Sequence, residues 1–185
     1  MGYLPGAVSV EPQTSLHPYW CWASVTAAVW SYYEGVPWTM PEVVVLVLQP
    51  DCSGQFTSDQ GGVYWDLSDA LALDNPGCPN AAHNHLAQQA YGQVAFADLQ
   101  NQIDNLQRPV CVAVTFETAP GQTVHYCLVN GIFEQEGEQW ISLLDPGAIS
   151  PGEQRLTFPD FVSGAALLPS SATYPATWSD TFYTQ

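Results

Sequence analysis

The chain of 185 residues has the length of one ordinary domain, and its 46% hydrophobic and 12% aromatic content is enough to fill a core. The chain has eighteen acidic residues but only two basic ones, Arg108 and Arg155, and no lysine, so the formal net charge is −16. Such a charge repels phosphate backbones and anionic membranes, which argues against nucleic acid or a membrane as partner and favours a neutral or basic one. The longest aliphatic run, residues 43–48, is far shorter than the roughly 20 residues of a membrane span. From the length and the apolar content we expect a single domain over residues 1–185.

The first half of the chain carries helical signals. After an irregular lead-in, residues 21–34 are dense in Ala, Val, Trp and Tyr, with no helix breaker before Gly35. This pattern predicts a buried helix closed by a glycine cap. The sequence Thr39-Met40-Pro41-Glu42 is a capping box with proline near the first turn, and it predicts a second helix through residues 43–48.

Weaker helical signals follow. Residues 49–64 are rich in Gly, Ser, Asp and Gln and indicate a loop, and a short helix is predicted over residues 65–73. A further helical period falls at Leu99, Ile103 and Leu106.

The second half of the chain carries strand signals. Residues 110–116 are apolar and β-branched, which predicts a strand. Residues 125–133 and 139–144 are two apolar runs joined by the charged, glycine-containing segment 134–138, which predicts a hairpin. Residues 177–184 alternate and are predicted to form a last, edge strand. A helical first half and a sheet-forming second half indicate α+β architecture, with a helical lobe packed against a twisted antiparallel sheet.

Cys21 lies where the irregular lead-in becomes a helix. Unpaired amide groups and the positive end of the helix dipole stabilise a thiolate at such a position, so Cys21 is a candidate nucleophile. Taken alone, a cysteine between Trp20 and Trp22 is equally compatible with a buried structural residue.

His125 and Asp145 supply the other two parts of an acyl-transfer site. His125 begins the first hairpin strand and Asp145 follows the second. Antiparallel pairing about a turn centred near residue 136 brings Asp145 within a residue or two of His125, and a bulge would bring the two into contact. Such a pair can act as base and as the group that orients the base. Asn130 is an alternative orienting group, but at five residues after His125 on one strand it is expected to point to the opposite face.

The sequence resembles the small bacterial papain-like cysteine peptidases, similar to bacteriocin-leader peptidases and to effector proteases of plant pathogens. The resemblance spans residues 13–161 and rests on five matches: Gln13, Trp20-Cys21-Trp22-Ala23-Ser24, Arg108-Pro109-Val110, His125 with Leu128-Val129-Asn130-Gly131, and Leu144-Asp145-Pro146.

The resemblance implies a papain-like fold, a protein or peptide substrate and a Cys21–His125–Asp145 triad that needs neither cofactor nor metal. It also implies that Gln13 helps to stabilise the oxyanion, together with the backbone N–H of Cys21. Gln13 precedes Cys21 by eight residues. The same three groups also suit a deamidase or a transglutaminase-like acyltransferase, and a silent peptide-binding module is a third alternative.

The remaining metal-type and nucleophilic side chains are given structural interpretations. Cys78, His83 and His85, with Cys52, match no common zinc spacing. In an oxidising compartment Cys52 and Cys78 would form the expected disulfide.

His17 is interpreted as a surface histidine, and Cys111 and Cys127 as small apolar residues within strands. No secretory signal pattern is visible at the N-terminus, so the sequence indicates no particular cellular compartment. The absence of lysine leads to the hypothesis that the domain works after delivery into a host or rival cell.

Overall fold

The computed structural model describes eight stretches of the chain: residues 2–5, 8–13, 19–48, 65–74, 82–118, 121–147, 153–164 and 176–185. Five α-helices run over Cys21–Glu34 (α1), Met40–Leu48 (α2), Leu67–Leu71 (α3), Phe96–Gln100 (α4) and Phe158–Ser163 (α5). The strands are Gly2–Tyr3 (β1), Ala72–Asp74 (β2), Ala82–Asn84 (β3), Leu86–Tyr91 (β4), Val110–Thr118 (β5), Gly121–Gln135 (β6), Glu138–Leu144 (β7), Glu153–Thr157 (β8) and Ala176–Thr184 (β9). None of the described helices is long and apolar enough to cross a membrane.

Helix α1 has the bounds that the sequence predicts. It starts at Cys21 and ends before Gly35, whose φ of 68° lets its N–H donate to the carbonyl of Ser31. Every residue from Cys21 to Trp30 is buried, because apolar side chains cover all sides of this part of the helix.

The capping box ahead of α2 is confirmed, since Glu42 accepts the backbone N–H of Thr39 at 2.8 Å. Helix α3 is shorter than predicted. It starts at Leu67, directly after Asp66, whose carboxylate accepts the N–H of Ser68, and it ends where β2 begins and pairs with β3. The last two residues of the predicted helix, Ala72 and Leu73, therefore belong to strand β2. The helical period that starts near Leu99 is also confirmed, and it continues from α4 into a π-helical turn over Asn101–Asn105.

The main sheet is antiparallel, with strand order β4-β9-β5-β6-β7-β8 and β1 paired to β6. The predicted strand over 110–116 and the predicted hairpin are confirmed. The prediction that the last strand lies at an edge is wrong, because β9 pairs with β5 on one side and with β4 on the other. The sequence of β4, Leu-Ala-Gln-Gln-Ala-Tyr, has no apolar alternation that would predict a strand.

The hairpin of β6 and β7 turns through Glu136 and Gly137, with φ of 55° and 83°. Two positive φ values are typical of a type I′ turn, and glycine adopts the second without steric cost. Pairing runs from Gln135 opposite Glu138 and shifts by one residue between Val129 and Gly131. Because of this bulge at Asn130, Leu128 lies opposite Leu144. Asp145 is the next residue along the chain, so it lies near the end of β6 that carries His125.

Two apolar cores lie on opposite faces of the sheet. Helices α1, α2 and α3 pack on one face against residues such as Cys111, Ala113 and Leu128. The other face carries Val112, Cys127 and the smaller helices α4 and α5. Alternate residues of β5 thus enter different cores, as the strand period requires. Helix α1 of the helical lobe contacts strand β6 of the sheet.

Candidate active site

His125 and Asp145 are joined by a hydrogen bond. Nε2 of the ring lies 2.6 Å from Oδ1 of the carboxylate, and the two side chains are 17% and 19% exposed. The bulge at Asn130 brings the end of β7 into line with His125. Asn130 itself accepts a hydrogen bond from Ser142 at 2.6 Å, so it takes no part in this pair.

The turn after β7 fixes the carboxylate of Asp145. The backbone N–H of Gly147 donates to the same oxygen, Oδ1, at 2.7 Å. Gly147 also lies against the imidazole: a Cβ at this position would be 3.0 Å from Cε1 and 3.1 Å from Nε2 of His125. The missing side chain of Gly147 therefore makes room for the ring.

Cys21 meets the same ring from the helical lobe. It is the first residue of α1, is 3% exposed, and its thiol is one of the groups that raise the pKa of His125. Trp20 makes no side-chain capping hydrogen bond to α1. The dipole of α1 therefore acts on the thiol at the helix start without a side-chain cap from Trp20.

A second cysteine, Cys127, lies on the other side of the pair. One ring nitrogen of His125, the sulfur of Cys127 and one oxygen of Asp145 all lie within 4.8 Å of one another. The interpretation of Cys127 as a small apolar strand residue is therefore incomplete: the residue is buried, at 2% exposure, but its thiol contacts His125 and Asp145. Its spacing of two from His125 on a strand is the signal that places both on one face.

The separation of His125 and Asp145 is that of a hydrogen bond. Two ligands of one tetrahedral zinc ion, at bond lengths of about 2.0–2.1 Å, would lie roughly 3.3 Å apart. The observed 2.6 Å between Nε2 and Oδ1 is shorter than this. We therefore interpret the cluster as a hydrogen-bonded acid–base site.

The electrostatics of the site stabilise a charged imidazole. Burial opposes that charge, but the contacts with Cys127, Asp145 and Cys21 outweigh it and raise the pKa of His125 well above its usual value. Burial also raises the pKa of Cys127 to about 11, so this thiol is uncharged at neutral pH. The anion that supports the imidazolium at neutral pH is therefore the carboxylate of Asp145. Burial would raise the pKa of Asp145, but the hydrogen bond and charge of His125 hold it below its usual value.

Residues 6–165 of the chain match the family model described as "Papain-like cysteine protease AvrRpt2". The chain belongs to this family of papain-like cysteine proteases. The predicted family resemblance and enzyme class are thereby confirmed.

Two solved structures are similar to the chain. One, from a study of limited antibody cross-reactivity between the mite allergens Blo t 1 and Der p 1, has a TM-score of 0.52 at 14% identity and covers 96% of this chain and 67% of that one. Another, digestive procathepsin L 3 of the Tenebrio molitor larval midgut, has a TM-score of 0.47 at 12% identity, with 100% and 73% covered. The first supports the predicted papain-like α+β fold. No curated protein sequence matches the chain.

The lead-in of the protease connects the two halves of the site. The backbone N–H of Gln13 donates to the carbonyl of Pro146 at 2.7 Å, beside Asp145. Two residues earlier, the carbonyl of Glu11 accepts from the hydroxyl of Ser24 in the first turn of α1, also at 2.7 Å. Gln13 thus lies next to the Asp145 turn, and its role toward an oxyanion stays a prediction.

The other predicted residues lie away from the site or outside the described residues. His83 and His85 both contact Oε1 of Glu34, at 2.6 and 3.1 Å, at the far end of α1. Cys111 is buried against the helical lobe. His17, Cys52 and Cys78 lie outside the described residues, and so does the disulfide considered for the last two.

Proposed function

We propose that this papain-like cysteine protease cleaves peptide or isopeptide bonds with Cys21 as nucleophile, His125 as base and Asp145 as the residue that orients the histidine. The observation that supports this assignment is that the His125 ring lies 2.6 Å from the Asp145 carboxylate, while the Cys21 thiol at the start of α1 is one of the groups that raise the pKa of the same ring. We further propose that residues 1–185 form one catalytic domain.

Two cysteines contact His125, and their surroundings favour Cys21 as the nucleophile. Cys21 begins a 14-residue helix, whose dipole stabilises a thiolate. Cys127 lies within a strand, and burial raises its pKa to about 11. Since the thiolate is the reactive form of cysteine, Cys127 is unreactive at neutral pH.

The proposed reaction follows the geometry of the ring. Because Nε2 donates to Asp145, Nδ1 is the ring nitrogen that exchanges a proton with Cys21. The Cys21 thiolate attacks the peptide carbonyl carbon, and Nδ1 passes its proton to the leaving amine as the carbon–nitrogen bond breaks. Water then attacks the Cys21 thioester, Nδ1 takes a proton from it, and the carboxylic acid product leaves.

Gln13 and the backbone N–H of Cys21 are proposed to stabilise the oxyanion. The hydrogen bond from Gln13 to Pro146 keeps this residue beside the Asp145 turn and so supports the assignment. Donors aimed at the developing negative charge lower the barrier of acyl transfer.

The substrate is proposed to be a neutral or basic peptide segment. A net charge of −16 attracts cationic segments and repels anionic ones, nucleic acids and acidic membranes included. The preference should therefore weaken as added salt screens the field.

The test combines a diverse peptide library, read by mass spectrometry, with single substitutions. Cys21→Ala and His125→Ala should each abolish turnover, because the two groups act as one unit. Asp145→Ala should leave activity about two orders of magnitude above theirs. Cys111→Ala is the matched control, since it removes a buried thiol that lies opposite Leu128 in the sheet rather than opposite His125. Products with intact backbones but amides converted to acids would instead assign a deamidase, and an active Cys21→Ala variant would reject the assignment.

We also propose that the protease acts as an effector inside a foreign cell, where the absence of lysine would protect it from lysine-dependent tagging. Gln88 and Gln135 are exposed and lie away from the site. Changing both to Lys should shorten the lifetime of the protein in a eukaryotic cytosol, whereas changing both to Arg adds the same charge without a taggable amine. Equal lifetimes of the native, Lys and Arg proteins would reject this proposal.

A further inference from the structure

Cys127 shares one face of β6 with His125. Residues two apart on a strand point to the same side. Leu128 pairs with Leu144, so Cys127 and Asp145 are the residues that directly adjoin the last pair of β6 and β7. The sulfur of Cys127 therefore lies beside the hydrogen bond between His125 and Asp145, with donor atoms of all three residues within 4.8 Å.

We propose that Cys127 is a positioning residue, whose thiol donates a hydrogen bond to the Asp145 carboxylate and holds it against His125. This inference rests on the proposed function of the triad and adds a fourth side chain to it.

The direction of this hydrogen bond follows from the chemistry of the three groups. The thiol of Cys127 is protonated at neutral pH, so it has one hydrogen to donate. With its pKa raised well above the usual value, the ring of His125 is an imidazolium, in which both nitrogens carry hydrogens and neither can accept from the thiol. The carboxylate has four lone-pair sites, and the hydrogen bonds from His125 and Gly147 occupy two of them. Asp145 is therefore the acceptor that remains for the thiol.

The thiol acts on a carboxylate that is mostly shielded from water. Asp145 is 19% exposed, so a lost donor is replaced poorly by solvent. Gly147 and His125 both bond to Oδ1, which leaves rotation of the carboxylate about its Cβ–Cγ bond weakly restrained. A third donor from β6 restrains that rotation and with it the plane of the imidazole.

The test compares Cys127→Ala, Cys127→Ser and the control Cys111→Ala. Cys127→Ala should lower kcat about tenfold, the size expected for one lost hydrogen bond, with KM within about twofold because the thiol touches no substrate. Cys127→Ser keeps a donor in place and should recover most of kcat. Cys111→Ala should keep the native kcat, since Cys111 lies opposite Leu128 and its side chain enters the core on the other face of the sheet from Cys127.

A second readout does not depend on turnover. In the proton NMR spectrum, the Nε2–H of His125 that bonds to Asp145 should give a strongly downfield resonance. This resonance should move upfield or broaden in Cys127→Ala, and it should be retained in Cys127→Ser and in Cys111→Ala. It should also respond to Cys127→Ala in a Cys21→Ala background. Because this readout needs neither turnover nor Cys21, it tests the role of Cys127 separately from the peptidase assignment.

Native kcat and an unmoved resonance in Cys127→Ala would overturn the inference. Equal losses in Cys127→Ala and Cys127→Ser would also overturn it, because they would show that packing around the sulfur matters rather than its hydrogen.

Discussion

Gly147→Ala should impair catalysis by displacing the His125 ring. The added Cβ would lie 3.0 Å from Cε1 and 3.1 Å from Nε2 of that ring, and 3.3 Å from Oδ1 of Asp145. Carbon atoms in ordinary contact are about 3.5–4.0 Å apart, so the ring must retreat by roughly half an ångström. The bond from Nε2 to Oδ1, now 2.6 Å, lengthens as a result or the ring turns away from Cys21.

The size of the effect follows from this displacement. A misplacement of about 1 Å costs roughly a hundredfold in rate, so half of that should lower kcat about tenfold. The strain on the ring should cost about 0.5–1.5 kcal/mol of the free energy of unfolding. Initial rates with a fluorogenic peptide substrate, together with urea unfolding curves, measure both quantities.

Gly137→Ala is the matched control for this variant. A Cβ at Gly137 meets nothing within 4 Å, but its φ of 83° strains any other residue, at a cost of about 1 kcal/mol. The two variants should therefore lose similar stability, while only Gly147→Ala loses activity. A Gly147→Ala protein with kcat within about twofold of the native value would refute the described packing of the ring, and equal activity losses in both variants would attribute the effect to stability.

Two further predictions concern charge. Burial would raise the pKa of Glu34, but hydrogen bonds from His83 and His85 overcome this effect and lower it. The ionised Glu34 therefore stabilises the fold above the usual carboxyl pKa, and this stabilisation is lost as pH falls through the lowered value. Glu34→Gln should therefore cost about 1.5–3 kcal/mol at pH 7, and this cost should shrink as pH falls from the usual carboxyl pKa through the lowered value, as measured by urea unfolding; a cost independent of pH would contradict this. Iodoacetamide should alkylate Cys21 faster than the other cysteines at pH 6, and His125→Ala should abolish that advantage; equal rates at every cysteine in the native protein would contradict the thiolate–imidazolium pair.

Local signals in the sequence predicted the elements that carry the site. The bounds of α1 follow from an uninterrupted apolar segment that ends before Gly35, and the capping box at Thr39 predicts the start of α2. The closeness of His125 and Asp145 follows from the symmetry of one hairpin. These predictions needed no knowledge of distant parts of the chain.

The features that the sequence left open depend on contacts between distant segments. Gly131 inside the strand is compatible with a bulge, but the position of the bulge at Asn130, which completes the approach of Asp145 to His125, is visible only in the register of β6 against β7. The position of β9 inside the sheet depends on β4, whose residues carry little strand signal. Cys127 has the sequence pattern of any buried strand cysteine, and its contact with Asp145 emerges only from the register of β6 against β7.

The site is assembled from segments that are made at different times. Cys21 precedes His125 by 104 residues, and the two meet only after the strands that hold His125 and Asp145 have paired. Synthesis proceeds from the N-terminus, and long-range strand pairing is slow compared with helix formation. A nascent chain therefore carries a thiol with no base beside it. With Cys21 and His125 as the proposed nucleophile and base, the cell that produces this protease is exposed to its activity only after the sheet has formed.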